Sequence, residues 1–585
     1  MRKEHIRIAG LIFVILVFNV LLLHPMREVR WWKSHEGQSA ISRLMAFTDA
    51  LEENGTPRWN GWMCAHRGSP MFTFYAPGIF YISSVFIKLG FNEYCSIHIM
   101  IFIVRLAGGT AIFLTLIFLG LNRASALLGS LLFSVFPYQS TCLFTRGAFA
   151  ELAAMNTVPL IALFTVITLK RHGYWAIGLA PAVWAVIYLH NITAMLTAIF
   201  CACLVLILIP LAFRTKEMAK RLLALFIGAI LGVGLASPFW LTAISLKHHV
   251  NIESMFNSNL VPSHLYFLEI GDLFRLVPPH LKHTNHFEMD FHFPLILCFF
   301  LLISIFEYLK SCIKGDYRNR HNIDSDVLSS PLWYGGALFM SLLTLLVSLK
   351  STSFLFYKIP GLHYAQFPYR VFSILATMTT LGAAYGIYHV IKKIKYSDFF
   401  ILPLVAFIVI LLDFGLLQSR FVKDKNLDLE SLRAEFDKSY VETVHINEYS
   451  PACIDPLKAH KTPIPPKGAE VTTNSNHDVT ISVFTMRSGL ITFNATSSQK
   501  VTLNIAHYWF PGWKAYSGNK ELSLTQNKEN GEMQLVFPGG TNVPISIEFR
   551  DSTPVKKGKT IATMSLLLLT LWLSLIIYNI FQKEK

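Results

Sequence analysis

The chain has 585 residues, of which 53% are hydrophobic and only 15% are charged, and its formal net charge is +15. Apolar runs of membrane-spanning length recur from end to end, which excludes a soluble globular protein and predicts a polytopic α-helical membrane protein. Much of the positive charge lies in short loops beside these runs, where the positive-inside rule places it, so it does not indicate nucleic-acid binding.

The first apolar run, Ile8–Leu23, follows the basic residues Arg2, Lys3 and Arg7. A signal peptide has a similar pattern, but no small-residue cleavage site follows the run, so we predict a retained membrane anchor. Eleven further spans are predicted at 97–121, 124–141, 150–170, 175–189, 194–213, 222–241, 292–309, 331–350, 371–391, 397–418 and 559–580. The sequence thus predicts about twelve transmembrane helices with both termini in the cytoplasm.

The stretch 71–90 is also apolar, and counting it as a span would give thirteen. The charges in the loops decide between the two counts. If 71–90 lies along the membrane surface, the basic loops around Lys170, Lys216 and Lys314 face the cytoplasm, whereas a crossing at 71–90 would turn them all outwards. We therefore expect 71–90 to lie along the surface.

The first outer loop, residues 24–90, is rich in aromatic and charged residues. Trp31 and Trp32 belong to a residue type that favours the membrane–water boundary, and they precede Glu36. An apolar pattern with helical period follows, ending at an Asn-Gly stop signal. On this helix Glu36 and Arg43 fall on one face. We predict that the loop folds back against the bilayer and forms the floor of an active site.

Four other polar clusters fall on the outer side in this topology. They are Arg146–Glu151, His190-Asn191, Ser237–Trp240 and Gln366–Arg370. Charged side chains at the edge of a helix bundle are costly, and they usually mark a functional site or a structural ion pair. We expect these turns to converge on the face that carries Glu36.

From residue 419 to 557 the pattern changes to short segments of alternating polarity, separated by turn signals such as Pro511-Gly512. Strands are predicted at 479–483, 490–493, 501–505, 533–537 and 545–549. We predict an extracytoplasmic β-sandwich here, and a final transmembrane helix with a cytoplasmic tail at 558–585. Its Tyr508, Trp509 and Trp513 could bind sugar or could simply pack in the core.

Taken together, these segments resemble bacterial membrane proteins described as 6-pyruvoyl-tetrahydropterin synthase-related, which are similar to C-type (GT-C) glycosyltransferases. The resemblance runs through 24–90, the Arg-Gly-Ala-x-Ala-Glu turn at 146–151, His190-Asn191, 367–370 and 508–513. It implies a GT-C-like transmembrane domain over 1–418. It also implies a glycosyltransferase of the bacterial inner membrane, which transfers a sugar from a polyprenyl-phosphate donor to an envelope glycan or lipid acceptor on the periplasmic face.

The resemblance further implies a catalytic base in the first outer loop. The acceptor hydroxyl needs a general base within hydrogen-bond reach, and Glu36 matches the acid of the superfamily. Asp49 is the second choice. A histidine is common four residues after the acid, but this chain has Ala40 there. A divalent cation, Mg or Mn, is the cofactor to consider, with Glu36 as a candidate ligand.

The departing lipid phosphate would need fixed positive charge. Arg146 and Arg370 are the expected phosphate ligands, because a guanidinium is permanently charged and binds phosphate through two parallel hydrogen bonds. His190 is a third candidate. Three further residues are expected to support the site, and these are Arg43, Glu151 and Asn191.

Each candidate also has a purely structural interpretation. Glu36 could stabilise the start of its helix, and Arg146 could form an ion pair with Glu151. His190-Asn191 could be a hydrogen-bonded turn, and Arg370 could pair with lipid headgroups.

Other functions are also compatible with the sequence. His283-x-x-His286 has the spacing of metal ligands, although no frame of carboxylates or cysteines accompanies it. A transporter or flippase of lipid-linked saccharides would suit a polytopic chain with basic outer residues. A non-catalytic scaffold of the same fold would explain Ala40.

Overall fold

A computed structural model describes residues 2–24, 26, 31–32, 34–54, 57–212, 215–256, 263–274, 294–313, 331–392, 448–455, 470–473 and 478–584. Its α-helices of ten or more residues are α1 (Arg2–Leu22), α2 (Gly37–Asn54), α3 (Gly78–Lys88), α4 (Glu93–Phe118), α5 (Arg123–Ser134), α6 (Phe149–Lys170), α7 (Leu179–Leu189), α8 (Asn191–Ala212), α9 (Lys216–Leu235), α10 (Ser237–Leu246), α11 (Leu295–Ile313), α12 (Pro331–Ser348), α13 (Phe372–Lys392) and α14 (Thr553–Glu584).

Within the described part of the chain, seven helices are long and apolar enough to cross a membrane. They are His5–Leu22, Glu93–Phe118, Arg123–Arg146, Phe149–Lys170, Lys216–Leu235, Pro368–Lys392 and Thr553–Gln582. Shorter apolar helices coincide with most of the other predicted spans. The predicted span at 397–418 and the predicted domain boundary at 418/419 lie outside the described residues, so the count of twelve and the orientation stay predictions.

The stretch 71–90 does not form one continuous helix. Met71–Phe74 and α3 are separate helices, with Tyr75, Ala76 and Pro77 between them. At 1.5 Å per residue, the 11 residues of α3 extend about 16 Å, roughly half of the hydrocarbon thickness of a bilayer. This length agrees with the prediction that the stretch lies along the surface.

Trp31 and Trp32 are buried inside the protein, so their rings face other side chains and not lipid. Their rings stack on each other with 4.9 Å between centroids, and Trp31 also stacks on Tyr94 of α4 at 5.3 Å. The Trp32 indole N–H donates a hydrogen bond to the Leu143 carbonyl oxygen at 3.2 Å. Their position at the membrane–water boundary stays a prediction, and packing explains why the rings are not exposed.

The described residues of the C-terminal region form nine strands in two antiparallel sheets. They are β1 (Val471–Thr473), β2 (Thr480–Arg487), β3 (Leu490–Ser497), β4 (Val501–Tyr508), β5 (Trp513–Ser517), β6 (Lys520–Leu522), β7 (Leu524–Gln526), β8 (Glu532–Phe537) and β9 (Gly540–Phe549). The four-stranded sheet has the order β1-β4-β8-β7, and the five-stranded sheet has the order β2-β3-β9-β5-β6.

The two sheets share one core, to which Phe493 contributes from one sheet and Leu503 from the other. Buried and accessible positions alternate along β3 and β8, which is why those strands could be read from the sequence. Tyr508 and Trp513 are buried and Trp509 is half-buried, so the core-packing interpretation holds for the first two.

The β-rich region is docked onto the first outer loop. Trp59 lies in the same core, and its indole N–H donates to Nε2 of the buried His507 at 3.0 Å. The Arg67 guanidinium lies 2.9 Å from the Glu532 carboxylate, and the Ser488 N–H donates to the Glu53 carboxylate at 2.6 Å. Because this loop also carries Glu36, the β-rich region helps to hold the floor of the candidate site in place.

Candidate functional site

The backbone fixes Glu36 beside the turn that carries Arg146. The Glu36 N–H donates to the Arg146 carbonyl oxygen at 2.8 Å, and the His35 N–H donates to the Thr145 carbonyl oxygen at 3.1 Å. The contact requires Gly147, which has φ +66° and where a Cβ would lie 2.5 Å from the Gly37 nitrogen. Two of the predicted outer clusters therefore meet here.

Glu36 lies just before the first residue of α2, and its carbonyl oxygen accepts a hydrogen bond from the Ala40 N–H at 2.9 Å, which is the N-cap position of the backbone. The side-chain contact at this end comes from Ser34, whose hydroxyl accepts a hydrogen bond from the Gly37 N–H at 3.2 Å. The Glu36 carboxylate instead lies 3.9 Å from the Arg43 guanidinium, on the shared helix face that the sequence predicted. The Glu36 side chain is 41% exposed and that of Arg43 only 12%, so water or a substrate hydroxyl can reach the carboxylate.

Arg43 is held against Tyr75, at the break between Met71–Phe74 and α3. Its guanidinium carbon lies 4.9 Å from the centre of the tyrosine ring, a cation–π contact. Burial raises the pKa of Tyr75, so its hydroxyl stays protonated and can donate a hydrogen bond. No sequence pattern pointed to Tyr75, since one tyrosine in an aromatic-rich loop carries no signal of its own.

A buried charge cluster lies behind Glu36. The Glu151 carboxylate accepts a hydrogen bond from Arg146 Nη1 at 2.7 Å and from the Tyr138 hydroxyl at 2.5 Å. Arg370 Nε lies 3.6 Å from the same carboxylate. The side chain of Glu151 is 1% exposed, and the two arginines are also buried. Two guanidiniums thus share one carboxylate, which leaves an excess of one positive charge within this cluster.

The two arginines differ in how they are bound. Arg146 makes the short contact with Glu151, and its guanidinium lies 5.3 Å from the centre of the Tyr369 ring. Arg370 donates to the Gln366 side-chain oxygen at 2.5 Å, while its Nε is buried without a hydrogen bond among the described residues. The structure therefore favours the ion-pair interpretation for Arg146, and it leaves Arg370 with hydrogen-bonding capacity.

His190 separates α7 from α8 and lies near the same cluster, since Glu151 and both arginines act electrostatically on it. Its Nδ1 accepts a hydrogen bond from the Thr193 N–H at 3.2 Å and lies 2.8 Å from the Thr193 hydroxyl. Burial lowers the pKa of His190 to about 3, so the imidazole is neutral at physiological pH. It can offer a hydrogen bond to a ligand but no charge.

Asn191 and Asp49 lie apart from the charge cluster. Asn191 is exposed, and its side-chain amide is 3.5 Å from the Phe74 carbonyl oxygen. Asp49 is on the same helix as Glu36 but thirteen residues later, about 20 Å along the helix axis. The structure thus does not bring Asp49 to Glu36, and of these two acids it is Glu36 that lies beside Arg43 and the Arg146 turn.

The site also includes a segment that the sequence did not suggest. Glu448 and Tyr449 come from residues 448–455, and the Tyr449 ring stacks on Phe74 with 6.1 Å between centroids. Burial raises the pKa of Glu448, and the charges of Arg43 and Glu36 also act on it. More than three hundred positions separate them from Phe74 and Arg43, so no local sequence pattern could have placed them here.

The described residues do not provide a metal site. No group of three or more His, Cys, Asp or Glu side chains within them could hold a metal ion. Beside Glu36 stands a guanidinium, which would repel a cation. His283 and His286 lie outside the described residues. A role for Mg or Mn stays a prediction, and no step is derived through a metal.

Comparison with known proteins identifies a family. A family model described as a 6-pyruvoyl-tetrahydropterin synthase related domain, membrane protein, matches residues 72–421. No curated protein matches the chain significantly.

Among solved structures, the chain is similar to the mycobacterial arabinofuranosyltransferase AftD, with 12% identity, a TM-score of 0.38, and coverage of 68% of this chain and 28% of that one. It is also similar to the apo form of the Archaeoglobus fulgidus oligosaccharyltransferase, with 13% identity, a TM-score of 0.35, and coverage of 79% and 65%. The chain thus spans less than two thirds of either protein.

Proposed function

The chain belongs to the 6-pyruvoyl-tetrahydropterin synthase-related family of membrane proteins, and we propose that it is a GT-C-type glycosyltransferase. It would transfer a sugar from a polyprenyl-phosphate donor to an envelope glycan or lipid acceptor on the outer face of the bacterial inner membrane. One observation carries the proposal. A solvent-accessible carboxylate, Glu36, is hydrogen-bonded through its backbone to Arg146, in a buried cluster with excess positive charge.

In this reaction the acceptor hydroxyl oxygen forms a bond to the anomeric carbon of the donor sugar. The bond from that carbon to the phosphate oxygen breaks, and the polyprenyl phosphate leaves with the electron pair. Glu36 takes the proton of the hydroxyl as general base. Its exposure supports this role, because an acceptor can approach it from water.

The developing charge on the phosphate would be stabilised by arginine. Arg370 is the better ligand in this proposal, since Arg146 already makes the short contact with Glu151. Arg146 then acts as a positioning residue, which holds Glu151 and, through its carbonyl oxygen, the backbone of Glu36. Because buried donors cannot rearrange freely, their positive charge is already in position before the reaction begins.

The direct test uses the purified full-length chain in lipid nanodiscs, with a panel of radiolabelled polyprenyl-phosphate sugars and the cell's own envelope glycan as acceptor. Wild type should release polyprenyl phosphate and label the glycan, and Glu36→Gln should lower both by about two to four orders of magnitude. Glu217→Gln is the matched control, since Glu217 is an exposed carboxylate with an arginine partner, outside the site. Normal turnover by Glu36→Gln would remove the base from the proposal.

The same assay separates the transporter alternative. A flippase moves the lipid-linked saccharide intact, so it produces no polyprenyl phosphate under any condition. If wild type yields none with any donor, while the mature glycan still changes when the chain is deleted from cells, the transferase proposal is overturned in favour of transport or a scaffold. Movement of the lipid-linked saccharide across a proteoliposome bilayer by the purified chain would then identify transport. A scaffold would leave the purified reaction blank and change the glycan only through its partners.

A further inference from the structure

An open cleft is lined in part by Phe74, the last residue of the short helix Met71–Phe74. It has a volume of about 500 Å³. The other lining residues on which the inference depends are Asn191, Lys247, Glu253, His363 and Tyr364. A volume of this size falls in the range of about 300–1,000 Å³ that encloses small-molecule ligands. Of these residues, only Phe74 and Asn191 were named in the candidate site described above.

Residues that line the cleft are neighbours in the chain of residues in the candidate site. Phe74 is followed in the chain by Tyr75, which contacts Arg43, and Asn191 follows His190. Tyr364 belongs to the short helix Leu362–Ala365, and the Ala365 carbonyl oxygen accepts a hydrogen bond from Arg370 at 3.1 Å. Consecutive Cα atoms are only about 3.8 Å apart. Phe74, Asn191 and Tyr364 of the cleft are therefore each one residue away from a residue that belongs to the candidate site or contacts it.

The lining combines aromatic faces with polar groups whose charges cancel. The rings of His363 and Tyr364 lie 4.0 Å apart, and Tyr364 is 45% exposed, so a ring face is accessible to a ligand. Lys247 and Glu253 form an ion pair of 2.9 Å, and Asn191 adds an exposed amide. The ion pair gives no net charge, which disfavours a phosphate or an acidic sugar as the preferred ligand.

We infer that this cleft binds the acceptor, as a neutral saccharide, of the transfer reaction proposed above. Sugars present C–H faces that pack on aromatic rings, and pairs of hydroxyls that bond to carboxylate, amide and ammonium groups. That the bound saccharide is an acceptor rests on the proposed function. Saccharide binding in the cleft, however, can be measured without any transfer.

The experiment measures binding of neutral oligosaccharide fragments, prepared from the cell's own envelope glycan, to the full chain in nanodiscs by saturation-transfer NMR. Wild type should bind, and Tyr364→Ala should raise the Kd by roughly threefold to tenfold, the worth of one aromatic contact. Tyr357→Ala is the matched control, because Tyr357 is also about half exposed but lies outside the cleft. A second variant, Glu253→Ala, should weaken binding through the polar wall.

The outcomes separate the two proposals. Glu36→Gln should bind the fragments but fail to transfer sugar to them. If polyprenyl phosphate is released while Tyr364→Ala binds as tightly as wild type, the cleft inference is overturned and the transferase proposal stands. If the fragments bind through Tyr364 but no donor is ever consumed, the transferase proposal fails and the cleft remains a saccharide site. Binding of acidic fragments alone would overturn the assignment of a neutral saccharide.

Discussion

Replacing Glu151 by glutamine tests the buried charge cluster most directly. Glutamine has nearly the same size and can still accept the hydrogen bond from the Tyr138 hydroxyl. It removes the negative charge that Arg146 and Arg370 share, however, so two buried guanidiniums would face no anion within their cluster. The substitution therefore measures the effect of the negative charge on stability, with the size of the side chain nearly unchanged.

The expected loss of unfolding free energy follows from burial. Removing one partner of a buried ion pair costs about 3–5 kcal/mol, because an uncompensated charge stays away from water. The value should lie near the upper end of that range, since Glu151 serves two arginines and is 1% exposed. Glu217, which is about half exposed and 3.3 Å from Arg221 on the same helix, should lose only about 0.3–0.5 kcal/mol on the same substitution.

The assay is equilibrium unfolding of the purified chain by sodium dodecyl sulfate titration, followed with a thiol-reactive dye. Cys142 is buried and its sulfur lies 3.7 Å from Arg146 Nη1. In a background that keeps Cys142 and replaces the other seven cysteines by serine, its labelling reports on the cluster itself. A double variant, Glu151→Gln with Arg146→Met, should lose less than the sum of the two single losses. Equal stability of Glu151→Gln and Glu217→Gln would refute the argument that these charges depend on one another.

Three further outcomes are expected. Asp49→Asn should change transfer little, whereas Glu36→Gln should abolish most of it, and the reverse result in the donor-release assay would place the base on the wrong acid. Arg370→Lys should weaken donor use about tenfold to a hundredfold, since a point charge cannot replace a planar contact worth roughly 1.5–3 kcal/mol. Burial lowers the pKa of His507 to about 3, so below pH 6.5 the unfolded chain binds more protons than the folded one. The contribution of His507 to stability should therefore fall with falling pH, by about 2 kcal/mol at pH 5 relative to pH 7.5, and His507→Gln should unfold with a flatter dependence on pH.

Local pattern determined much of the architecture. Apolar runs of span length identified the long helices from Glu93–Phe118 to Thr553–Gln582. Alternation located the five longest strands, while β1, β5, β6 and β7 have only three to five residues and are too short to show a period. The helical period also placed Glu36 and Arg43 on one face, because the spacing of residues along a helix fixes their relative direction.

The sequence by itself determined which charged residues lie at the ends of the helices that are predicted to face outwards. It also determined that the arginines among them stay charged, because a guanidinium keeps its proton. Only the tertiary structure decided how these charges are shared. Glu151 could be read as a partner of Arg146 five residues away, but its second contact, with Arg370, joins residues more than two hundred positions apart. The same holds for Glu448 and for His507 against Trp59. Burial makes an unpaired charge costly, so partners are chosen by the folded arrangement of helices and not by any local sequence pattern.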